Sequence, residues 1–145
     1  MGRNNISLKD AYIVETLRSN HVSDQEIIDR VEANDTTEWQ VSGINIDVER
    51  LVQIGKEVNI HSILEDGYSV KFVTFKGLLN LLKLKFHKEE ELDYEPTSNG
   101  IVGLRVDDNE LATLRQILSQ NWHIESERGT VKGIFTVSIQ IKQVQ

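Results

Sequence analysis

Four histidines, His21, His61, His87 and His123, are the side chains of this sequence best suited to hold a metal or carry a proton near neutral pH. They share no ligand spacing, because the sequence has neither His-x-His nor His-Glu-x-x-His. His87 with Glu90 or Glu91 at i+3 or i+4 offers two ligands of mixed type if a helix runs that far, and a solvated helix end is the simpler account. The complete absence of cysteine excludes thiolate zinc sites, iron–sulfur clusters, disulfides and thiol nucleophiles together, and points to a reducing, cytoplasmic setting.

Carboxylates pair at Glu65-Asp66, Glu89-Glu90-Glu91 and Asp107-Asp108, the arrangement that acid–base or two-metal chemistry would use. Each pair has a plainer place: a helix end before Gly67, a solvated loop, and a helix cap. Ser119 lies in no Gly-x-Ser-x-Gly elbow, and Gly100 and Gly103 sit within an expected strand and open no helix. No Gly-Lys-Ser/Thr phosphate loop occurs. The expectation is a chain that is not an enzyme and takes no cofactor or metal.

Charge carries more information. The net charge is −7, and it is distributed as −7 over residues 1–67, +5 over residues 68–88 and −5 over residues 89–145. The basic band consists of Lys71, Lys76, Lys83, Lys85 and Lys88, with Tyr68, Phe72, Phe75 and Phe86 interleaved. These lysines are the candidate polyanion-binding residues. The aromatics are expected on the apolar face opposite them, which leaves no joint stacking platform. The acidic loop that follows at 89–95 is a second candidate partner for the same lysines.

The elements that would hold these groups follow from periodicity and caps. Ser7 caps a helix at about 7–20 with Ile13, Val14 and Leu17 inward; Ser23 with Glu26 opens another at about 23–34 around Ile27, Ile28 and Val31. Residues 35–46 are rich in turn formers, with Trp39 and Val41 expected to pin the segment to the core. Asp47 caps a third helix at about 47–58, and Asn59 a short fourth that Gly67 stops. Tyr68, Val70 and Phe72 then alternate as a strand. Thr74 opens a helix over 75–87 with Phe75, Leu78, Leu79, Leu82 and Phe86 on one stripe, although 82–87 also alternates as a strand would. Residues 88–100 read as a solvated loop, Ile101–Val106 as a strand, and Asp107 with Glu110 as a capping box for a helix at 108–119. A hairpin of 121–127 and 130–142 closes the chain. With Arg128-Gly129 as its two-residue loop, Glu127 pairs with Thr130, Trp122 with Phe135 and Ile124 with Gly133.

The predicted class is α+β: N-terminal helices followed by a β-α-β-α-β-β unit with a sheet of about four strands. The 145 residues suit a single domain, with 1–66 as a helical subdomain at most and 67–145 as the α/β part. No run approaches the roughly 18 apolar residues of a membrane span. The expected role is regulatory protein binding, of the inhibitor or immunity type, through an acidic surface that meets a basic partner. Leu81 and Leu84, off the main stripe of their helix, and Glu89, Glu90 and Glu91 are the candidate contacts, with self-association as a further use of the leucines. The alternative is DNA binding through an N-terminal helix-turn-helix-like segment and the basic band. A spacer of about a dozen residues between the second and third helices and the acidity of the segment weigh against it.

Overall fold

The computed structural model describes residues 4–129 and 131–142. Strand β1 (Asn5–Ile6) leads into helix α1 (Leu8–Ser19), and a short turn joins it to α2 (Asp24–Glu32). Ser7 and Ser23 cap the two helices, accepting from the backbone N–H of Asp10 and Glu26. Strands β2 (Gln40–Val41) and β3 (Ile44–Asn45) form a tight hairpin whose corner residues, Ser42 and Gly43, both have positive φ, the geometry that matches strand twist. Helices α3 (Val48–Glu57) and α4 (Ile60–Asp66) follow, capped by Asp47 and Asn59, and Gly67 ends α4 at φ 88°.

Beyond residue 67 lie β4 (Ser69–Val70), α5 (Phe75–Phe86), β5 (Glu95–Thr97), β6 (Gly100–Asp107), α6 (Asp108–Ile117), β7 (Trp122–Arg128) and β8 (Ile134–Ile141). The class is α+β. One antiparallel sheet has the order β5-β6-β8-β7, while β4 pairs in parallel with β1 in a separate two-stranded sheet. The strand expected at 68–73 therefore does not join the main sheet. Its place is taken by β5, within the stretch expected to be loop. Asn4 explains the pairing: its carbonyl accepts from Ser69 N–H at 2.7 Å and its amide reaches Gly67 O at 3.1 Å, so β4 finds partners at the N-terminus. The backbone then turns, leaving Val73 fully buried and Phe72 58% exposed, where alternation had placed Phe72 inward.

Helix α5 rejects the strand alternative for 82–87. Its Thr74 cap accepts from Gly77 N–H, and it closes on His87 in a left-handed conformation with Lys88 N–H donating to Leu82 O at 2.9 Å. The helix packs beneath the sheet and against α1, so its buried arc is wider than a single stripe. Leu81, expected as an exposed partner contact, is consequently 1% exposed in the core beside Leu78 and Leu82, and Leu84 is half-buried. The closeness of α1 and α5 is visible at Gly77, where a Cβ would lie 2.6 Å from Leu8 Cδ2.

The C-terminal hairpin keeps its predicted faces but not its register. Trp122 faces Ile141, Ile124 faces Ile139 and Arg128 faces Phe135, and the connection spans 129–133. Thr130, the expected partner of Glu127, lies outside the described residues; Glu127 pairs with Thr136. Each pairing is shifted by six positions. An even shift leaves every side chain on its own face, so alternation alone does not separate the two registers. In β6 a bulge between Ile101 and Leu104, at Gly103 with φ 75°, lets residues three apart both point into the core.

Two apolar clusters result. One gathers the sheet's inner face with α5, α6, Tyr68, Ile6, Ala11, Ile54 and Ile63; the other lies among α1, α2, α3 and α4. Helix α1 contributes to both, Ala11 to the first and Val14 and Leu17 to the second, with Ile13 against each. No helix among the described residues is long and apolar enough to cross a membrane.

At Gly100 a Cβ would stand 1.9 Å from Ile139 O, a backbone atom that cannot swing away. Gly100→Ala should therefore cost at least about 2 kcal/mol by forcing β6 from β8, visible as a lowered urea midpoint. Gly103→Ala, with open space around it, should act only through its backbone conformation.

Candidate functional site

Two buried carboxylates, Asp10 and Glu15, are the charged groups that sequence reasoning missed. Both lie on α1, and each is matched by cations from elsewhere. Asp10 holds Arg50 of α3 in a two-pronged pair, Nε to Oδ1 at 2.8 Å and Nη2 to Oδ2 at 2.7 Å, and Arg50 also reaches Glu57 at 2.9 Å. The Arg50 hydrogen bond holds the Asp10 carboxyl below its ordinary value, with Ser7 and Lys71 adding to the effect against the opposing cost of burial.

Glu15 Oε2 accepts from the Tyr68 hydroxyl at 2.6 Å and from Lys85 Nζ at 3.1 Å, with Arg18 Nη1 at 3.6 Å. Arg18 in turn binds both oxygens of Asp24 and donates to Leu64 O at 2.8 Å. Burial, and then the Glu15 charge, pushes the Tyr68 phenol far above its usual range, so it stays a donor. The cluster ties α1 to α2, α4 and α5 and to Tyr68, the residue before β4. Its members satisfy one another, and no buried side-chain nitrogen or oxygen among the described residues is left without a partner. A faint sequence signal existed: Glu15 stands one turn beyond Ala11, at i+4, on the flank of the stripe that Val14 and Leu17 mark.

These contacts break up the basic band. Lys85 turns inward to Glu15, with its side chain 17% exposed and its ammonium 5.5 Å from the centre of the Tyr68 ring. Lys88 pairs with Glu110 at 3.7 Å. Lys71, Lys76 and Lys83 remain exposed. Lys76 and Lys83 share one face of α5 with Asn80 and Leu79, along a hollow of about 430 Å³ between the helix and the segment that follows it. Lys88, Glu89, Glu90 and Tyr94 line its other side.

That segment is a built turn. Leu92 N–H and Asp93 N–H both donate to Glu89 O, at 3.2 and 2.8 Å, Glu91 N–H donates to Tyr94 O at 2.8 Å, and the Asp93 carboxylate accepts from Glu89 N–H at 2.7 Å. Tyr94 anchors it in the core at 5% exposure, while Glu89, Glu90 and Glu91 face water and Leu92 stands 74% exposed among them. A leucine on a fixed acidic turn is an apolar anchor within a charged rim.

The remaining candidates scatter. Among the described residues no three His, Asp or Glu side chains gather as a metal site would require. His123 lies on the exposed sheet face, 3.2 Å from Glu125, and His87 serves as the α5 cap. Ser119 is a structural residue: its hydroxyl accepts from Val73 N–H at 2.9 Å and donates to Asn121, while Asn121 and the Trp122 indole both donate to Val73 O. Comparison with protein-family models, with curated proteins and with solved structures returns no match for this chain.

Removing the Glu15 carboxylate strands the Lys85 ammonium and the Tyr68 hydroxyl. Glu15→Ala should cost about 3–5 kcal/mol, whereas the paired change Glu15→Leu with Lys85→Met should recover much of that loss, as chemical denaturation of the two variants would reveal. Because the Asp10 pKa is depressed in the fold, its stabilisation is complete above about pH 4, the ordinary unfolded value, and is lost as pH falls through the lower folded value. Wild type should exceed Asp10→Asn in urea midpoint at pH 7, and the difference should shrink steadily on acidification.

Proposed function

We propose that this chain is a non-enzymatic binding protein that engages a basic protein partner through its acidic surface, with the turn at 89–93 as the point of contact. The single observation that carries this reading is the exposed Leu92 held among Glu89, Glu90 and Glu91 by the turn's own hydrogen bonds. A pre-formed turn pays little conformational entropy on docking, a leucine supplies an apolar anchor, and the surrounding carboxylates steer a cationic partner and reject anionic ones. The net charge of −7 acts in the same direction over longer distance.

The nucleic-acid alternative rests on one observation of its own, Phe72 exposed next to the exposed Lys71. Weighing against a helix-turn-helix reader are the water-facing Asp24, Glu26, Asp29 and Glu32 of α2, and the β2–β3 hairpin standing where that motif has a short turn.

A capture experiment from the native cell separates these readings. The wild-type chain should retain a basic protein that 0.5 M salt releases, an ionic strength at which exposed charges are screened within roughly 5 Å. A variant carrying Glu90→Gln, Glu91→Gln and Leu92→Ser should lose it with no change in thermal midpoint. Equal capture by both, or low-salt retention on DNA abolished by Lys71→Glu with Phe72→Ser, would overturn the protein-partner reading.

A further inference from the structure

The hollow of about 430 Å³ beside α5 falls within the size range of small-molecule sites, and its walls differ in charge. On the helix side stand Lys76, Asn80 and Lys83, at i, i+4 and i+7 and therefore on one face. Lys76 and Lys83 lie about 10.5 Å apart along the axis at 1.5 Å per residue. Their flexible four-carbon stems can bring both ammonium groups to one point above Asn80. Neither is held in an ion pair among the described residues, unlike Lys85 and Lys88. Asn80 is fixed between them, donating one N–H to the Tyr12 hydroxyl at 3.2 Å. Leu79 and Tyr94 add apolar surface.

The opposite wall limits what can enter. Glu89 and Glu90 line it, and Glu91, Asp93 and Glu95 continue the negative charge beyond the rim. An extended phosphate backbone leaving the hollow would run along these carboxylates. A compact anion held on the helix side would meet two cations at short range and the carboxylates only across the hollow, where water and salt screen them.

We propose that the hollow between α5 and the 88–94 turn is a binding site for a small phosphorylated molecule whose phosphoryl oxygens are held by Lys76 and Lys83 over Asn80. The site shares Glu89 and Glu90 with the proposed protein contact, but its ligand is held from α5 by Lys76 and Lys83, so it does not depend on the protein-partner reading. Lys83 and Glu89 also border an adjoining hollow of about 400 Å³ with Ser19, Leu84 and His87, which gives room for the ligand's remaining part.

The test is a titration of the whole chain with sodium pyrophosphate at low salt, followed by backbone amide NMR shifts, with sodium chloride of matched ionic strength as control. Saturable shifts confined to residues near 76–90 are expected. Lys76→Gln with Lys83→Gln, both at exposed positions, should weaken binding at least about tenfold. Glu89→Gln with Glu90→Gln should strengthen it. Shifts that the chloride control reproduces, that never saturate, or that persist unchanged in the double lysine variant overturn the proposal. So does a single-stranded oligonucleotide that occupies the same amides more tightly than pyrophosphate.

Discussion

A carboxylate withdrawn from water must be met by donors, and Glu15 imposes that requirement at the centre of this molecule. Its partners come from different parts of the chain: Tyr68 beside β4, Lys85 on α5 and Arg18 one turn along its own helix. Meeting the requirement fixes the rotation of α5, because Lys85 must point toward α1. That orientation carries Leu81 and Leu82 into the core and leaves Lys76 and Lys83 outside. Arg18 extends the same constraint to α2 through Asp24 and to α4 through the Leu64 carbonyl. The surface available for recognition is therefore set from within, by which cations the buried acids have claimed.

The helical parts of this arrangement were legible in the sequence because their signals are local. Ser7, Ser23, Asp47, Asn59, Thr74 and Asp107 all cap as their types and positions predict, and Asp107 with Glu110 makes the full reciprocal box. The strands of the C-terminal hairpin were legible in their faces and not in their partners, whereas at 68–73 even the faces misled, since Phe72 is exposed and Val73 buried. Alternation in β7 and β8 fixes which side chains point inward, but it repeats every two residues, so it cannot choose between pairings an even number apart. The long-range pairing of β1 with β4, and the brief β5, leave almost no periodic trace in segments of two and three residues.

The charges illustrate the same limit. Five lysines in 21 residues without an acid look like one surface in sequence, yet Glu15 and Glu110, 70 and 22 residues from their partners Lys85 and Lys88, divide them. The acidity and exposure of the turn at 89–93 follow from its composition; its closure by backbone hydrogen bonds and the Asp93 carboxylate does not. Leu92 carries no signal in the sequence, because a single apolar residue among acids has no period to belong to.

The sheet's two margins bear on how the chain behaves among copies of itself. One margin is β5, three residues long and containing Pro96, which lacks the N–H that a docking strand would need. The other is β7, where His123, Glu125 and Glu127 recur along the outward face. A stray strand arriving at the first finds little length to zip against, and at the second a row of ionic side chains that would have to be stripped of water. Crowded during synthesis, molecules of this kind are steered away from cross-β growth by geometry at one border and hydration at the other.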